Sequence, residues 1–406
     1  MHILLIHQAF AGLDEAGGTR HIEMARALVE RGHRVTVIAS PVSYLTGQLR
    51  SQQMRWVERQ DVEPGIVILR TYTYPAWHRS FVHRVVSFIS FMFSSFWVGL
   101  GVRAVDVVWG TSPPIFQGWT AWLLARLKGA KFVFEVRDLW PAFAIAVGVL
   151  RNRLLIRLSL WLESFLYRHA DGVVVNSPGF IEHVQERGAA QVHLIPNGAS
   201  PEMFDPQGRG QAFRQAHDLG DRFVVLYAGA HGLSNDLGVV LQAAAQLMER
   251  TDIVFLLVGD GKEKKNLQAQ AHTLGLKNVC FLPPVSKQQM AEVLAAADAG
   301  LAILKPLDLY RTTYPNKVFD YMAAGRAVLL VIDGVVRQVV EEAQAGLFVE
   351  PGNPAALAEA VQTLADDPRR ARQMGLAGRR YVEQHLNRRD ITDHFANYLE
   401  SLVNKD

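Results

Sequence analysis

Two series of short apolar runs alternate along the chain with stretches in which apolar residues return at helical spacing. In the first series, residues 2–7, 34–39, 65–72, 105–109, 131–136, 172–176 and 192–195 read as strands. Between the first two, Ile22, Ala25, Leu28 and Val29 recur with the period of a helix face. The second series opens with Phe223-Val224-Val225-Leu226-Tyr227. It continues with Ile253–Val258, Val279–Leu282, Gly300–Leu304, Ala327–Ile332 and Leu347–Val349. Uninterrupted apolar strands separated by helices predict parallel sheets covered on both faces. Two such series predict an α/β protein of two doubly wound, Rossmann-like domains facing a cleft. Ile195-Pro196-Asn197-Gly198 and the polar stretch after it mark the junction. The expected domains are therefore 1–198 and 199–385, with 386–406 packing back on the first. Residues 378–403 read as one helix with Arg379, Arg380, Arg388 and Arg389 toward solvent.

A length of 406 residues suits two domains of ordinary size. With 49% hydrophobic and 20% charged residues, the chain is neither disordered nor a coiled coil. Its single cysteine, Cys280, excludes a disulfide scaffold and a cysteine zinc cage. No His, Asp and Glu cluster has metal-ligand spacing either, so no metal and no resident cofactor are expected.

Net charge is only +3, but residues 1–200 hold 20 basic and 14 acidic side chains, against 22 and 25 in the remainder. An Arg-rich first half suits phosphate groups or an anionic membrane surface. No Lys/Arg run or aromatic module points to nucleic acid. The chain opens in a strand-like run, His2-Ile3-Leu4-Leu5-Ile6, without a positive leader, and a signal peptide is not expected. Val85–Val102 is uncharged for 18 residues between Arg84 and Arg103, near the minimum for a membrane span. Its serines and glycines argue against spanning. So does the need to keep the flanking strands on one side of the bilayer. It is expected to be buried or to lie at an interface.

Three Gly-rich turns follow strands: Gly17-Gly18-Thr19, Gly229-Ala230-His231-Gly232 and Gly259-Asp260-Gly261. Unpaired N–H groups and a helix dipole at such turns attract anions. None is the G-x-G-x-x-G fingerprint, and no P-loop is present. Three in register still favour a ligand over three plain turns.

Longer strings carry a resemblance. They are Gly32-His33-Arg34-Val35-Thr36-Val37, Glu135-Val136-Arg137-Asp138-Leu139-Trp140-Pro141, Leu257-Val258-Gly259-Asp260-Gly261, Pro315-Asn316-Lys317-Val318-Phe319-Asp320-Tyr321-Met322-Ala323-Ala324-Gly325 and Gly346-Leu347-Phe348-Val349-Glu350-Pro351-Gly352-Asn353. In this order the chain resembles the retaining glycosyltransferases of family 4, and the second and fourth strings resemble the N-acetyl-fucosamine transferase branch. The resemblance implies a GT-B fold and metal-independent transfer from a nucleotide sugar, UDP-linked, to a lipid-linked saccharide. An N-acetyl amino sugar and a polyprenyl-diphosphate acceptor in O-antigen or capsule assembly fit that branch. A cytoplasmic protein, peripheral on the inner face of the plasma membrane, is the matching location.

The family's two acids, eight apart, are half met: Asp320 is present, but Thr312 stands at the first position. Asp320 can accept from two ribose hydroxyls. The family's Arg and Lys after the first strand of the second domain are missing, and Lys317 beside Asn316 is the candidate replacement, with Lys305 or Arg311 second. The remaining donor residues implied are Gly17, Gly229, His231, Gly232, Asn235, Gly261, Val285 and Tyr314. Gly18, whose N–H can approach the leaving diphosphate, and Arg137 and Asp138 are the candidate catalytic residues. Thr19, Arg79, His83 and Arg84 are assigned to the acceptor or membrane side. A same-fold enzyme with a soluble sugar or sugar-phosphate acceptor, and a degenerate chain that only binds, are the alternatives.

Overall fold

Runs such as Ile3-Leu4-Leu5-Ile6 can lie mid-sheet only where helices shield both of their faces, and that requirement organises the chain. The computed structural model describes residues 1–15, 17–43, 47–50, 53–75 and 81–404. One compact unit comprises Met1–Gly12, Gly17–Pro196 and the residues from Arg389 onward, and the other is mainly Asn197–Arg388.

In the first unit the order is β1 (His2–Ile6), α1 (Arg20–Glu30), β2 (Arg34–Ala39), β3 (Val57–Glu63), β4 (Ile66–Thr71), α2 (Phe81–Leu100), β5 (Val107–Ser112), α3 (Phe116–Lys128), β6 (Lys131–Val136), α4 (Ala142–Ala146), α5 (Arg153–His169), β7 (Gly172–Val175), α6 (Ile181–Glu186) and β8 (Val192–Leu194). The sheet runs β3-β4-β2-β1-β5-β6-β7-β8, parallel except where β3 meets β4. The apolar pattern does not predict β3. Val57-Glu58-Arg59-Gln60-Asp61-Val62-Glu63 is polar because it is an edge strand with little of it buried. Strand order reverses beside β1: the chain steps to β2 and beyond on one side, then α2 carries it back to β5 on the other.

The second unit contains α7 (Gln211–Ala216), β9 (Phe223–Ala228), α8 (Leu237–Gln246), β10 (Ile253–Val258), α9 (Lys264–Thr273), β11 (Val279–Leu282), α10 (Lys287–Ala296), β12 (Ala299–Ile303), α11 (Asn316–Ala323), β13 (Ala327–Val331), α12 (Val335–Glu342), β14 (Gly346–Phe348), α13 (Pro354–Asp366) and α14 (Pro368–His385). Its sheet is wholly parallel, β11-β10-β9-β12-β13-β14, and order reverses between β9 and β12. Those two strands pair only through Ala299 and Gly300, then splay. Tyr321 fills the gap. Its hydroxyl accepts from Ala228 N–H at 3.0 Å and donates to the Leu301 carbonyl at 3.2 Å. The ring lies against Gly300, where any Cβ would fall 2.3 Å from it.

The single helix expected over 378–403 is two. Helix α14 ends at His385, and α15 (Arg388–Val403) starts after a break in which Ala199 bridges to Asn387. Two of the arginines expected in solvent are not there. Arg388 is buried and donates to the Gly198 carbonyl, and Arg379 donates to the carbonyls of Pro201, Phe204 and Ala323. These carbonyls lie where no ladder can satisfy them, and a guanidinium has enough donors to do so. Helix α15 packs on the first unit, with Phe395 against Trp109 of β5 at 4.7 Å between centroids. Arg31, at the end of α1, is bound by Asp393 and Glu400.

Phe395 is fully buried. Phe395→Ala is expected to destabilise the first unit by about 3–5 kcal/mol. Urea unfolding should show the loss in that unit's transition and leave the second unit's transition in place.

Candidate active site

A doubly wound sheet exposes a usable crevice where its strand order reverses, at the carboxyl ends of the strands. Both units place chemistry there.

In the first unit the crevice is a cavity of ≈ 220 Å³ lined by His7, Ala9, Gly18, Phe88, Pro113, Pro114, Arg137, Asp138 and Trp140. Behind it lies a buried network. Glu135 accepts from Arg20 Nε at 3.1 Å and from His21 Nε2 at 2.7 Å, and Arg20 also donates to the carbonyls of Ile195 and Pro196. Burial alone would push the Glu135 carboxyl up, but His21 and Arg20 together outweigh it and hold it ionised well below the usual range. Strand alternation puts Glu135 and Arg137 on one side of β6 and would pair them. Arg20 takes that place, because the first turn of α1 sits over the end of β6. The lone acid in Phe132-Val133-Phe134-Glu135-Val136 was the available signal that a buried cation must exist.

Arg137 turns instead to His7, whose Nε2 accepts from Arg137 Nη1 at 3.1 Å. Desolvation and the nearby His21 and Arg137 keep His7 neutral. With Nε2 as acceptor, the proton must sit on Nδ1, facing Thr111 Oγ1 at 3.1 Å. Gln117 donates to that oxygen in turn, its own amide fixed by the Gln8 N–H. Arg137 is thus aimed by a chain of three side chains, His7, Thr111 and Gln117. Asp138 is exposed in this cavity yet hemmed in by protein, and that desolvation raises its carboxyl to about 6 against the pull of Arg137. A side chain at Gly18 would grow toward Arg137 Nη2, 4.0 Å from its Cβ.

Thr19, expected on the acceptor side, is buried and spends its hydroxyl on Glu23 at 2.5 Å. His83, in the first turn of α2, stacks on Tyr74 at 6.2 Å, and Arg84 is half-buried beside it. Arg79 lies outside the described residues.

In the second unit the Gly229–Asn235 loop follows β9. Gly229 has φ +147° and faces Lys317, whose Nζ would stand 2.9 Å from any Cβ there. Lys317 rests on the ring of Tyr227, 3.8 Å from the centroid, with no hydrogen-bond acceptor or counter-ion among the described residues. Desolvation lowers its ammonium to about 7. Gly259 (φ +150°) closes the neighbouring turn, its Cα packed on the Gly229 carbonyl so closely that a Cβ would be 1.8 Å away.

His231 does not present its ring to a ligand. It is fully buried near Tyr227 and Phe281, with both nitrogens unpartnered, and desolvation with Lys264 and Lys317 lowers it to about 4. Its main chain remains in the loop, where the His231 carbonyl leaves no room for a side chain at Gly261. Asn235 Oδ1 accepts from Gly232 N–H at 3.3 Å and holds that turn.

Asp320, one α-helical turn beyond Asn316 and Lys317 on α11, is paired with Lys287 Nζ at 2.6 Å. Lys287 was missed: it reads as an ordinary surface residue after the Ser286 cap, and only the fold brings α10 to α11. Asn316 Oδ1 is buried without a partner. Val285 packs on the core of this unit. Tyr314 meets Phe319 edge-on at 5.4 Å, and its carbonyl accepts from Asn197. Of the other cations considered, Arg311 is held by Asp333 at 3.0 Å. Lys305 has its backbone N–H on the Ser234 carbonyl and its charge near Asp236. Thr312 bonds back to the Leu309 carbonyl at 2.7 Å.

Comparison with known proteins follows the same division. Residues 17–198 match the glycosyl transferase 4-like domain, and residues 210–381 match the glycosyl transferases group 1. WcaI of Escherichia coli K12, named as a glycosyl transferase of colanic acid biosynthesis, is 25% identical over 92% of this chain and 94% of its own length. The fold is that of the sucrose-phosphate synthase of Thermosynechococcus elongatus, at a TM-score of 0.78 and 20% identity, with all of both chains covered. Anabaena HepE in complex with UDP-glucose aligns at a TM-score of 0.74 and 17% identity, over 99% of this chain and 100% of its own.

Glu135→Ala would leave the Arg20 charge buried without its counter-ion. A loss of about 3–5 kcal/mol in the unfolding of the first unit is expected, measured in urea.

Proposed function

Because the chain is a glycosyltransferase of the GT-B type, we propose that its second unit binds a UDP-linked sugar and its first unit a lipid-linked saccharide acceptor. The observation that carries this is Lys317: a cation with no counter-ion among the described residues, at the strand-order reversal, beside glycine backbone. A half-buried, desolvated ammonium without an acidic partner is costly to keep ionised, and a diphosphate repays that cost. The Gly229–Asn235 loop offers main-chain N–H groups to the same phosphates. Lys317 thus takes the work of the missing Arg and Lys from a different element, α11.

Asp320 holds the ribose, one carboxylate oxygen kept by Lys287 and the other turned to the hydroxyls. The base lies near Gly261 and Val285. UDP as the nucleotide is supported by HepE, which was solved with UDP-glucose. A role in surface polysaccharide assembly is supported by the name of WcaI. The donor sugar is proposed to be an N-acetyl amino sugar, from the resemblance of the Glu135–Pro141 and Pro315–Gly325 strings.

Transfer is proposed to retain anomeric configuration without a metal. The acceptor hydroxyl attacks on the face the diphosphate leaves, the glycosidic C–O bond forms as the C–O bond to phosphate breaks, and the leaving phosphate takes the proton. Asp138 orients the acceptor hydroxyl and Arg137 meets acceptor phosphate, while Gly18 keeps the approach open. The acceptor cavity itself is walled by Phe88, Trp140, Pro113 and Pro114 and carries one cation and one carboxylate. That suits a sugar face stacked on aromatic rings next to an anionic group.

In a thermal-shift panel of UDP, GDP, dTDP and ADP, UDP alone should stabilise the protein. The gain is about 2.7 kcal/mol at a hundred times the dissociation constant, unchanged by EDTA. Asp320→Ala should weaken that binding, whereas Asp138→Ala should spare binding and reduce turnover. Equal binding loss in both variants overturns the division of roles.

The pH dependence has a definite sign. Lys317 loses its proton as pH rises through about 7, so UDP affinity should fall across that range, and Lys317→Ala should abolish the slope. Asp138 gains a proton as pH falls through about 6, so turnover should drop on that side, and Asp138→Asn should remove that limb.

A further inference from the structure

Right-handed crossovers put α2, α3 and α5 on one face of the first sheet, since each carries the chain in the same direction across it. They form a continuous layer. Phe88 of α2 stacks on Phe116 of α3 at 5.7 Å, and Trp119 of α3 meets Trp161 and Phe165 of α5 at 6.1 and 5.1 Å. The outer side of such a layer normally carries charge, because water covers it.

Here it does not. On α2, Val82, Val86, Ile89, Phe93, Trp97 and Leu100 recur at helical spacing and are all exposed. Leu154, Leu158 and Trp161 do the same on α5, and Leu127 ends α3 in the open. Trp97, Phe93, Leu158 and Trp161 are each more than half exposed. The exposed large apolar residues of the second unit, Leu233, Met248 and Leu274, are scattered singly on separate elements. A contiguous apolar surface of this kind marks an interaction site.

The charges decide what it meets. Helices α2 and α3 contain no acidic residue, and the single one on α5, Glu163, is buried and holds Arg187 and His183. The cations are outside: Arg126 on α3 and Arg153, Arg157 and Arg168 on α5 are exposed. Arg157 lies one turn from Leu154 and from Trp161, on the same side of the helix. A protein partner would require complementary charges of both signs at the rim. Apolar side chains, interfacial tryptophans and arginines, with no exposed carboxylate on these three helices to repel phosphate, match the headgroup region of an anionic bilayer.

Helix α2 is also long and apolar enough to cross a membrane by length and composition. However, β4 before it and β5 after it belong to the same sheet, so it lies along the surface rather than through it.

We infer that the outer face of α2, α3 and α5 docks the first unit flat on an anionic lipid surface. This rests on the lipid-linked acceptor proposed above and names the surface through which the enzyme reaches it. Phe88 and Trp140 then connect the docked face to the cavity, since Phe88 belongs to α2 and lines the cavity, and Phe116 of α3 stacks edge-on against Trp140 at 5.5 Å.

Flotation of the full chain with vesicles of phosphatidylglycerol and phosphatidylcholine, against pure phosphatidylcholine, tests it. Binding to the anionic vesicles alone is expected. Leu158→Glu with Trp161→Glu, and separately Phe93→Glu with Trp97→Glu, should each lower the bound fraction at least tenfold without lowering the melting temperature. Met248→Glu with Leu274→Glu, on the second unit, should change nothing. Arg153→Glu with Arg157→Glu should cancel the preference for anionic lipid.

Failure of the unaltered chain to float, or unchanged flotation in both α2 and α5 variants, overturns the inference. So does a dimer in gel filtration that the same substitutions split, which would assign the face to a second copy. The UDP-induced thermal shift, read on the same samples, separates the two ideas. A normal shift without flotation defeats the docking face alone, and no shift defeats the donor reading whatever the vesicles show.

Discussion

A parallel sheet covered on both faces is closed to ligands along most of its length, and it opens only where the order of its strands reverses. The two units obey this constraint in the same way. Beside β1 the chain returns through α2, and between β9 and β12 the ladder ends after two residues. The candidate site residues described above are gathered at those two openings. The first is closed behind by Glu135 and Arg20, and the second by the ring of Tyr321 standing where ladder hydrogen bonds stop.

The two openings solve the problem of buried charge differently. Around β1 and β6 the cations have partners before any ligand arrives: Arg20 has Glu135 and two carbonyls, and Arg137 has the lone pair of a neutral His7. Around β9 one cation is left over. Among the described residues Lys317 has only the face of Tyr227, which offsets part of the cost of desolvation but supplies no charge. A fully paired site is rigid and selects by shape, whereas a site short of one anion selects by charge. Acceptor saccharides differ mainly in shape, and nucleotide diphosphates are recognised first by charge.

Most strands were legible because burial on both faces writes them as continuous apolar runs, from Ile3–Ile6 to Ala327–Val331. Edge strand β3 was not, since its exposed faces leave no apolar record. The break at Leu386-Asn387 was hidden because neither Gly nor Pro marks it, and tertiary pairing of Asn387 with Ala199 makes it. At the site, residues in strings, such as Arg137, Asp138, Lys317 and Asp320, could be nominated in advance. Their partners could not. Arg20 lies 115 positions from Glu135 and Lys287 lies 33 from Asp320, and no local pattern reports such pairings. The burial of the His231 ring was not legible either, because it depends on Gly259 and Gly261 packing closely on the loop.

The last helix has a consequence for how the protein is made. Helix α15 lies against Trp109, and Tyr398 occupies the space over Gly172 so closely that a Cβ there would sit 1.5 Å from its hydroxyl. The first unit therefore lacks one wall of its core until α15 has left the ribosome, although its own strands emerge first. The second unit is nearly contiguous and can close as soon as α14 is out. Synthesis runs from the amino end, but completion runs the other way. During that interval the apolar bed of α15 is open to water, and its protection falls to whatever receives nascent chains.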